Sequence, residues 1–274
     1  MPVANNLIEL QDQIRTRYDE LSKRLQEVAS YIIENPNSVA FDTVAIIAEK
    51  ADVPPSTLIR FANAFDFSGF NDMKQIFRKN MVEETTNYTD RVRLFEELEG
   101  EEPSLERPVD ILQEFAHVNS KALSYLAAQV PTEDLEKAVN LLSNAENIYV
   151  IGMHRSFSAA SYFHYALLHL SRRAYLIDGL GGLHKEQLSV VGPKDVVITI
   201  SFSPYSKDTI MLNELVSKAG VNNIVITDSQ LSPLAKFNDV LFVVKEAELA
   251  GFRSQAALHC LIQTLIVSLA FKQK

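Results

Sequence analysis

The feature that most constrains this chain is a regular alternation in its second half. Short β-rich runs at Ile148 to Ile151, Ala174 to Ile177, Val196 to Ile200, Asn223 to Thr227 and Val240 to Val244 are separated by segments with helical apolar spacing. Those segments are Ser156 to Leu170, His184 to Val190, Lys207 to Ala219 and a short turn after Ser232, with Arg253 to Phe271 closing the series. Strands that alternate with helices imply a parallel sheet covered on both faces, because right-handed crossovers carry the chain over the sheet. Such sheets bind ligands outside the carboxyl ends of their strands. Two further helical segments, about Val109 to Ala128 and Thr132 to Ser143, lead into the alternation.

The first eighty residues lack strand patterning. From Leu10 to Ile33 the positions Ile14, Leu21, Leu25, Val28, Ala29 and Ile32 recur at helical spacing, which predicts one long amphipathic helix ended by Asn35-Pro36. A shorter apolar set at Val44, Ala45, Ile47 and Ala48 follows, then Asp52-Val53-Pro54-Pro55, then a helix from about Pro55 to Phe65. Proline is tolerated at a first helical position, so Pro55 marks a start. On this helix Leu58, Phe61, Ala62 and Phe65 share one face, while Ser56, Arg60 and Asn63 project from the other with Thr57 beside them. Such a helix fits the major groove: Arg can donate two bonds to guanine, Asn can pair with adenine, and hydroxyls near the N-terminus can hold phosphates. Residues 54–80 add Lys74, Arg78 and Lys79 to Arg60, against Asp66 and Asp72. The DNA-binding candidates are Ser56, Thr57, Arg60, Asn63 and Lys74. A plain three-helix bundle with Arg60 at a solvated surface fits the pattern equally well.

Charge marks a boundary between the halves. The formal charge is −9, and residues 83–107 hold 3 Lys/Arg against 9 Asp/Glu, while residues 1–80 hold 9 against 11 and residues 108–274 hold 14 against 15. With Gly100, Pro103 and Pro108 nearby, the acidic stretch reads as a connector. The expected organisation is an all-α domain over residues 1–80, an acidic linker over 81–107, and an α/β domain with a five-stranded parallel sheet over 108–274. A single cysteine, Cys260, offers no intrachain disulfide, and no Cys/His spacing suits a structural zinc site. The N-terminus does not read as a secretory signal, and the apolar stretch Ala256 to Phe271 is interrupted by His259, Gln263, Thr264 and Ser268. A cytoplasmic protein without a membrane span or cofactor is expected.

Two strand ends carry anion-binding chemistry. Ile151-Gly152-Met153-His154-Arg155-Ser156 leaves a strand at Gly152 and enters a helix whose free N–H groups and positive dipole end favour an anion, with His154 or Arg155 adding charge. Ser201-Phe202-Ser203-Pro204-Tyr205-Ser206 presents three hydroxyls and opens a second helix, with Ser206 suited to its N-cap. Serines also cap and turn βα loops without any ligand. The candidate ligand residues are Gly152, His154, Arg155, Ser156, Ser201, Ser203 and Ser206.

Thr57-Leu58-Ile59-Arg60-Phe61, followed by Phe65-Asp66-Phe67-Ser68-Gly69-Phe70 and Met73-Lys74, resembles the helix-turn-helix of RpiR-type bacterial transcription regulators, which control sugar catabolism genes. Pro54 stands where such turns carry a capping Ser, and Asp66 where a Gly is usual, so either Asp52 or proline geometry must define the turn. The second half resembles the sugar isomerase (SIS) fold that completes those regulators. Gly152 and Ser156 match its Gly-x-Gly-x-Ser strand end, with His154 in place of the second Gly. Ser201, Ser203 and Ser206 match its Ser-x-Ser-Gly loop and the Thr or Ser two residues beyond, with Pro204 in place of the Gly. The resemblance implies operator DNA and a phosphorylated sugar as partners, a homodimer or higher homo-oligomer, and those serines as phosphate ligands. An SIS-fold sugar-phosphate isomerase is the alternative, with His184, Lys185 and Glu186 after the Gly179 to Gly182 loop as candidates for proton transfer. A helix that reads DNA has no use in an isomerase, which favours a regulator without catalysis.

Overall fold

The computed structural model describes residues 3–4, 6–85, 87–99 and 107–272. The chain divides into two compact units, one drawn from residues 1–105 with 250–252, the other from 106–249 with 253–274.

The first unit is helical: α1 (Leu7–Arg17), α2 (Lys23–Glu34), α3 (Pro36–Phe41), α4 (Val44–Lys50), α5 (Pro55–Ala64), α6 (Phe70–Glu84) and α7 (Tyr88–Glu99). The long first helix predicted from periodicity is two helices. A 3-10 turn at Tyr18–Glu20 and an extended Leu21 separate them, and the Gln26 side-chain amide donates to the Tyr18 carbonyl across the break. The apolar spacing runs through because both pieces face one core: Leu10, Ile14, Val28, Ala29 and Ile32 are all buried. The acidic connector is in part helical. Its residues 81–84 extend α6 and 88–99 form α7, with Val82 and Leu98 buried; the Gly100 to Glu106 part lies outside the described residues.

The turn between α4 and α5 has one backbone solution. Asp52 N–H donates to the Glu49 carbonyl and Val53 N–H to the Ala48 carbonyl, while Asp52 sits at φ +52°. This is a Schellman closure with a left-handed residue after the helix. Asp52 thus defines the turn through its backbone, and Pro54, extended at φ −61° with no side-chain cap, delivers the chain to Pro55. The same closure ends α5: Asp66, at φ +66°, donates to the Asn63 carbonyl and Phe67 to the Ala62 carbonyl. Asp66 therefore occupies a conformation that explains the glycine expected there.

The second unit carries α8 (Pro108–Gln129), α9 (Thr132–Asn144), β1 (Ile148–Gly152), α10 (Phe157–His169), β2 (Ala174–Ile177), α11 (His184–Leu188), β3 (Val196–Ile200), α12 (Lys207–Lys218), β4 (Asn222–Thr227), β5 (Val240–Val243) and α13 (Ala256–Lys272). The five strands pair in parallel in the order β2-β1-β3-β4-β5. β1 and β3 are buried along their whole length, as central strands covered on both faces must be. One core cluster joins Ile148, Val150, Ile198, Ile224 and Phe242 of the sheet to Phe163 of α10 and Leu258, Leu261, Ile262, Leu265 and Leu269 of α13. The apolar C-terminal helix thus buries that face within its own unit. Among the described residues no helix is long and apolar enough to cross a membrane.

Asp52→Val should lower stability by about 1–2 kcal/mol in urea denaturation, because a β-branched residue is strained at positive φ, whereas Asp52→Gly should hold or raise it. Equal stability of the two variants would contradict the turn described.

Candidate functional site

In the first unit α5 divides as its periodicity requires. Leu58, Phe61 and Ala62 are buried, and Ser56, Ile59, Arg60 and Asn63 are exposed. The two remaining DNA-binding candidates are not on that exposed face. Thr57 is buried, and its Oγ1 accepts a bond from Arg60 Nη2 at 3.2 Å. It steadies Arg60 rather than presenting its own hydroxyl. Lys74 is 4% exposed and donates from Nζ to the Asp42 carbonyl at 2.5 Å. Burial, with Arg78 close by, lowers the Lys74 pKa from its ordinary value. Its ammonium ties α6 to the end of α3 and is committed inside the unit, which charge counting along the sequence could not reveal.

In the second unit the strand order reverses direction at β1. From β1 the chain moves to β2 on one side and then to β3 on the other, so the crevice beyond β1 and β3 is the topological switch point of the sheet. Gly152 is paired with Ile200, and the two candidate loops therefore leave the sheet side by side. Gly152 is required by packing: a Cβ there would lie 2.7 Å from the Ala160 Cβ and 2.9 Å from the Ser156 carbonyl oxygen. His154 sits at φ +52°, so the second-glycine position of the resemblance keeps a glycine-like backbone while carrying a side chain.

The loops are fastened together by groups from several strand ends. Arg155 Nη2 donates to the Ser203 carbonyl at 3.3 Å, and Arg253 Nη1 donates to the same oxygen at 2.6 Å. Asp228, directly after β4, accepts the Ser203 N–H at 3.2 Å and the Tyr205 hydroxyl at 2.7 Å. The same carboxylate lies 4.0 Å from Arg253. Ser206 caps α12 by accepting the Thr209 N–H, and its hydroxyl contacts Met153 Sδ at 3.8 Å. Ser156, Ser201 and Ser203 are buried at 8%, 4% and 2% exposure, beneath the surface at the ends of β1 and β3.

The structure brings together Gly152, Arg155, Ser156, Ser201, Ser203 and Ser206, and leaves His154 exposed at the rim. It also adds residues from the far end of the chain. Gln255 donates to the Arg155 carbonyl at 2.7 Å and accepts from Ser158 at 2.8 Å. A cavity of about 30 Å³ is lined by Arg155, Ser156, Phe202, Glu246, Arg253 and Gln255, among others. Glu246 accepts the N–H groups of Ala257 and Leu258 at the start of α13. Asp228 follows directly on the strand expected to end at Thr227, whereas Glu246, Arg253 and Gln255 arrive by tertiary packing. Of the isomerase candidates at α11, His184 is half-buried and Lys185 and Glu186 are exposed, and none of the three lines this cavity. Among the described residues no group of three potential metal ligands gathers.

The chain matches the rpiR-family helix-turn-helix domain over residues 8–84 and the SIS domain over residues 141–271. Two such domains in this order define a bacterial regulator that couples a DNA-reading head to a sugar-phosphate fold. The chain carries both domains of RpiR-type transcription regulators. An HTH-type transcriptional regulator of Caldanaerobacter subterraneus subsp. tengcongensis is 28% identical over 247 residues, covering 89% of this chain and 83% of the relative. Among solved structures, Vibrio vulnificus NanR in complex with ManNAc-6P shares the fold at a TM-score of 0.59 and 22% identity, over 96% of this chain and 92% of that one. The sugar isomerase domain of an RpiR transcription factor from Sphaerobacter thermophilus does so at 0.55 and 24%, over 60% and 90%.

Burial raises the Glu246 pKa above its ordinary 4.5, against the opposing pull of the Leu258 and Ala257 N–H groups. The folded protein therefore holds this proton more tightly than the unfolded chain, and stability falls as pH rises from the ordinary value through the raised one. Glu246→Gln should remove that loss, so the variant gains on the native protein as pH rises above the ordinary carboxylate value in thermal denaturation. A stability difference that does not change with pH would contradict the assignment.

Proposed function

We propose that this regulator acts on genes of carbohydrate metabolism, and that a phosphorylated sugar held at the β1/β3 switch point sets its affinity for operator DNA. The observation that carries the reading is the convergence at that crevice of the N-termini of α10 and α12 with Arg155 and buried serine hydroxyls. Helix N-termini favour anions through free N–H groups and the macrodipole, and a guanidinium adds a charged donor. Pro204 supplies no N–H, and the Ser203 N–H is given to Asp228, so fewer backbone donors remain in the second loop than the family pattern implies. Ser156, Ser201 and the first loop then carry more of the phosphate, with His154 at the rim and Ser203 and Ser206 shaping the wall. This shift points to an effector specificity different from that of a standard glycine loop.

The DNA-reading part is assigned to Ser56, Arg60 and Asn63, with Thr57 positioning Arg60. The α/β units pair in a homo-oligomer that presents two such heads to a pseudo-palindromic site. In support, α8 buries only Leu126 fully among its 22 residues and exposes Val109, Leu112 and Tyr125. A protein acting on bacterial genes works in the cytoplasm. The reading is of a sensor rather than a catalyst, since the groups lining the crevice are engaged in loop and helix-end contacts and the proton-transfer candidates stand apart from them.

The test is fluorescence anisotropy of the full chain on DNA from its own upstream region, across a salt series, with a panel of sugar phosphates. Sequence-preferring binding that one compound changes is expected. Nonspecific binding only, with conversion of a panel compound, would replace the reading by an SIS-fold isomerase. Arg60→Ala should cost about 1–3 kcal/mol of operator affinity, and an unchanged titration would remove Arg60 from the reading face. Arg155→Met should weaken the effective sugar phosphate by about tenfold or more in calorimetry, the worth of a charged hydrogen bond; equal affinity would place the phosphate elsewhere.

A further inference from the structure

Most side chains on the outer face of α5 are polar, but one is not. Ile59 is 48% exposed, although the unit buries Leu58, Phe61 and Ala62 on the same helix completely. Its position is not arbitrary: Ser56, Ile59, Arg60 and Asn63 follow the spacing i, i+3, i+4, i+7 and form a single stripe. Ile59 stands at one edge of this stripe, one turn after Ser56 and one turn before Asn63, with the Arg60 guanidinium at the other edge, and all four are exposed. The guanidinium is steadied from below by the buried Thr57 hydroxyl, so the stripe has a defined shape.

We infer that Ile59 reads thymine, by packing its side chain against the 5-methyl group in the major groove beside the base addressed by Asn63. The inference rests on the DNA-reading role proposed for α5 and adds a base preference to it. Donors on the stripe can read guanine O6/N7 and adenine N6/N7, whereas the thymine methyl is the one apolar feature the major groove presents. Leaving Ile59 in water gains nothing for the fold, and the polar side chains that share its stripe suit a groove of base edges better than an apolar protein surface. Removing one methyl group from such a contact is worth about 0.8 kcal/mol, or close to fourfold in affinity.

The test uses the full chain and a duplex selected by it from a randomised pool. Each thymidine of that duplex is replaced in turn by deoxyuridine, which lacks only the methyl group, and binding is measured for the native protein and for Ile59→Ala. At one position in each half-site the native protein should lose about fourfold while Ile59→Ala loses little. Ile59 lies outside the buried cluster of the unit, so Ile59→Ala should fold, and a matching circular dichroism melt of the variant checks this. If every thymidine replacement affects both proteins alike, Ile59 does not read a methyl group, although the selected sequence would still uphold the DNA-reading face. If Ile59→Ala alters the oligomeric state in sedimentation instead, the residue belongs to a protein interface and the inference falls. A pool that yields no preferred sequence would overturn the reading face and the role of Ile59 together.

Discussion

The parallel pairing of β1 with β3, in the register that sets Gly152 beside Ile200, is the contact on which the α/β unit's chemistry depends. It places two helix N-termini and two serine-bearing loops next to each other at the point where the strand order reverses. A slip of one residue would exchange the two faces of one strand and move the loops out of step. Gly152 protects the register from the other side, because the helix that follows approaches too closely for any Cβ. Everything assigned to the crevice, from Arg155 on the Ser203 carbonyl to Asp228 on the Ser203 N–H, presupposes that pairing.

Two residues that stand in place of an expected glycine, Asp66 and His154, and the residue that closes the turn before Pro54, Asp52, sit where backbone geometry explains the pattern. Asp52, Asp66 and His154 all have positive φ. Asp and His are among the non-glycine residues that tolerate this region best, so the turns survive the exchange at a modest cost. The exchange is not neutral at His154, where a titratable side chain now stands at the rim of the crevice. In the second loop the change is larger. Pro204 lacks a donor and Asp228 takes another, so the loop is held by a carboxylate and two arginines instead of by backbone freedom.

Much of this architecture was legible in the sequence, because strand and helix periodicities in a doubly covered sheet are strong signals. All five strands lie where the β-rich runs predicted, and the buried and exposed faces of α5 follow its spacing. What escaped is tertiary in origin. The break at Tyr18–Glu20 is invisible to apolar spacing because both flanking helices feed one core. Lys74 counted as a free cation until its ammonium was found on the Asp42 carbonyl, and Thr57 lay on the border of the polar face until burial turned it into a support for Arg60. Arg253, Gln255 and Glu246 reach the crevice from beyond β5, and no local pattern links them to Gly152.

The central claim is that one chain couples a sugar-phosphate site to DNA binding, and coupling of this kind is reciprocal. The most direct measurement is calorimetric titration of the effective sugar phosphate into the full chain, free and saturated with its selected duplex. The account predicts that the duplex changes the sugar-phosphate affinity by the same factor as the sugar phosphate changes the duplex affinity. Identical sugar-phosphate affinities with and without DNA would contradict it.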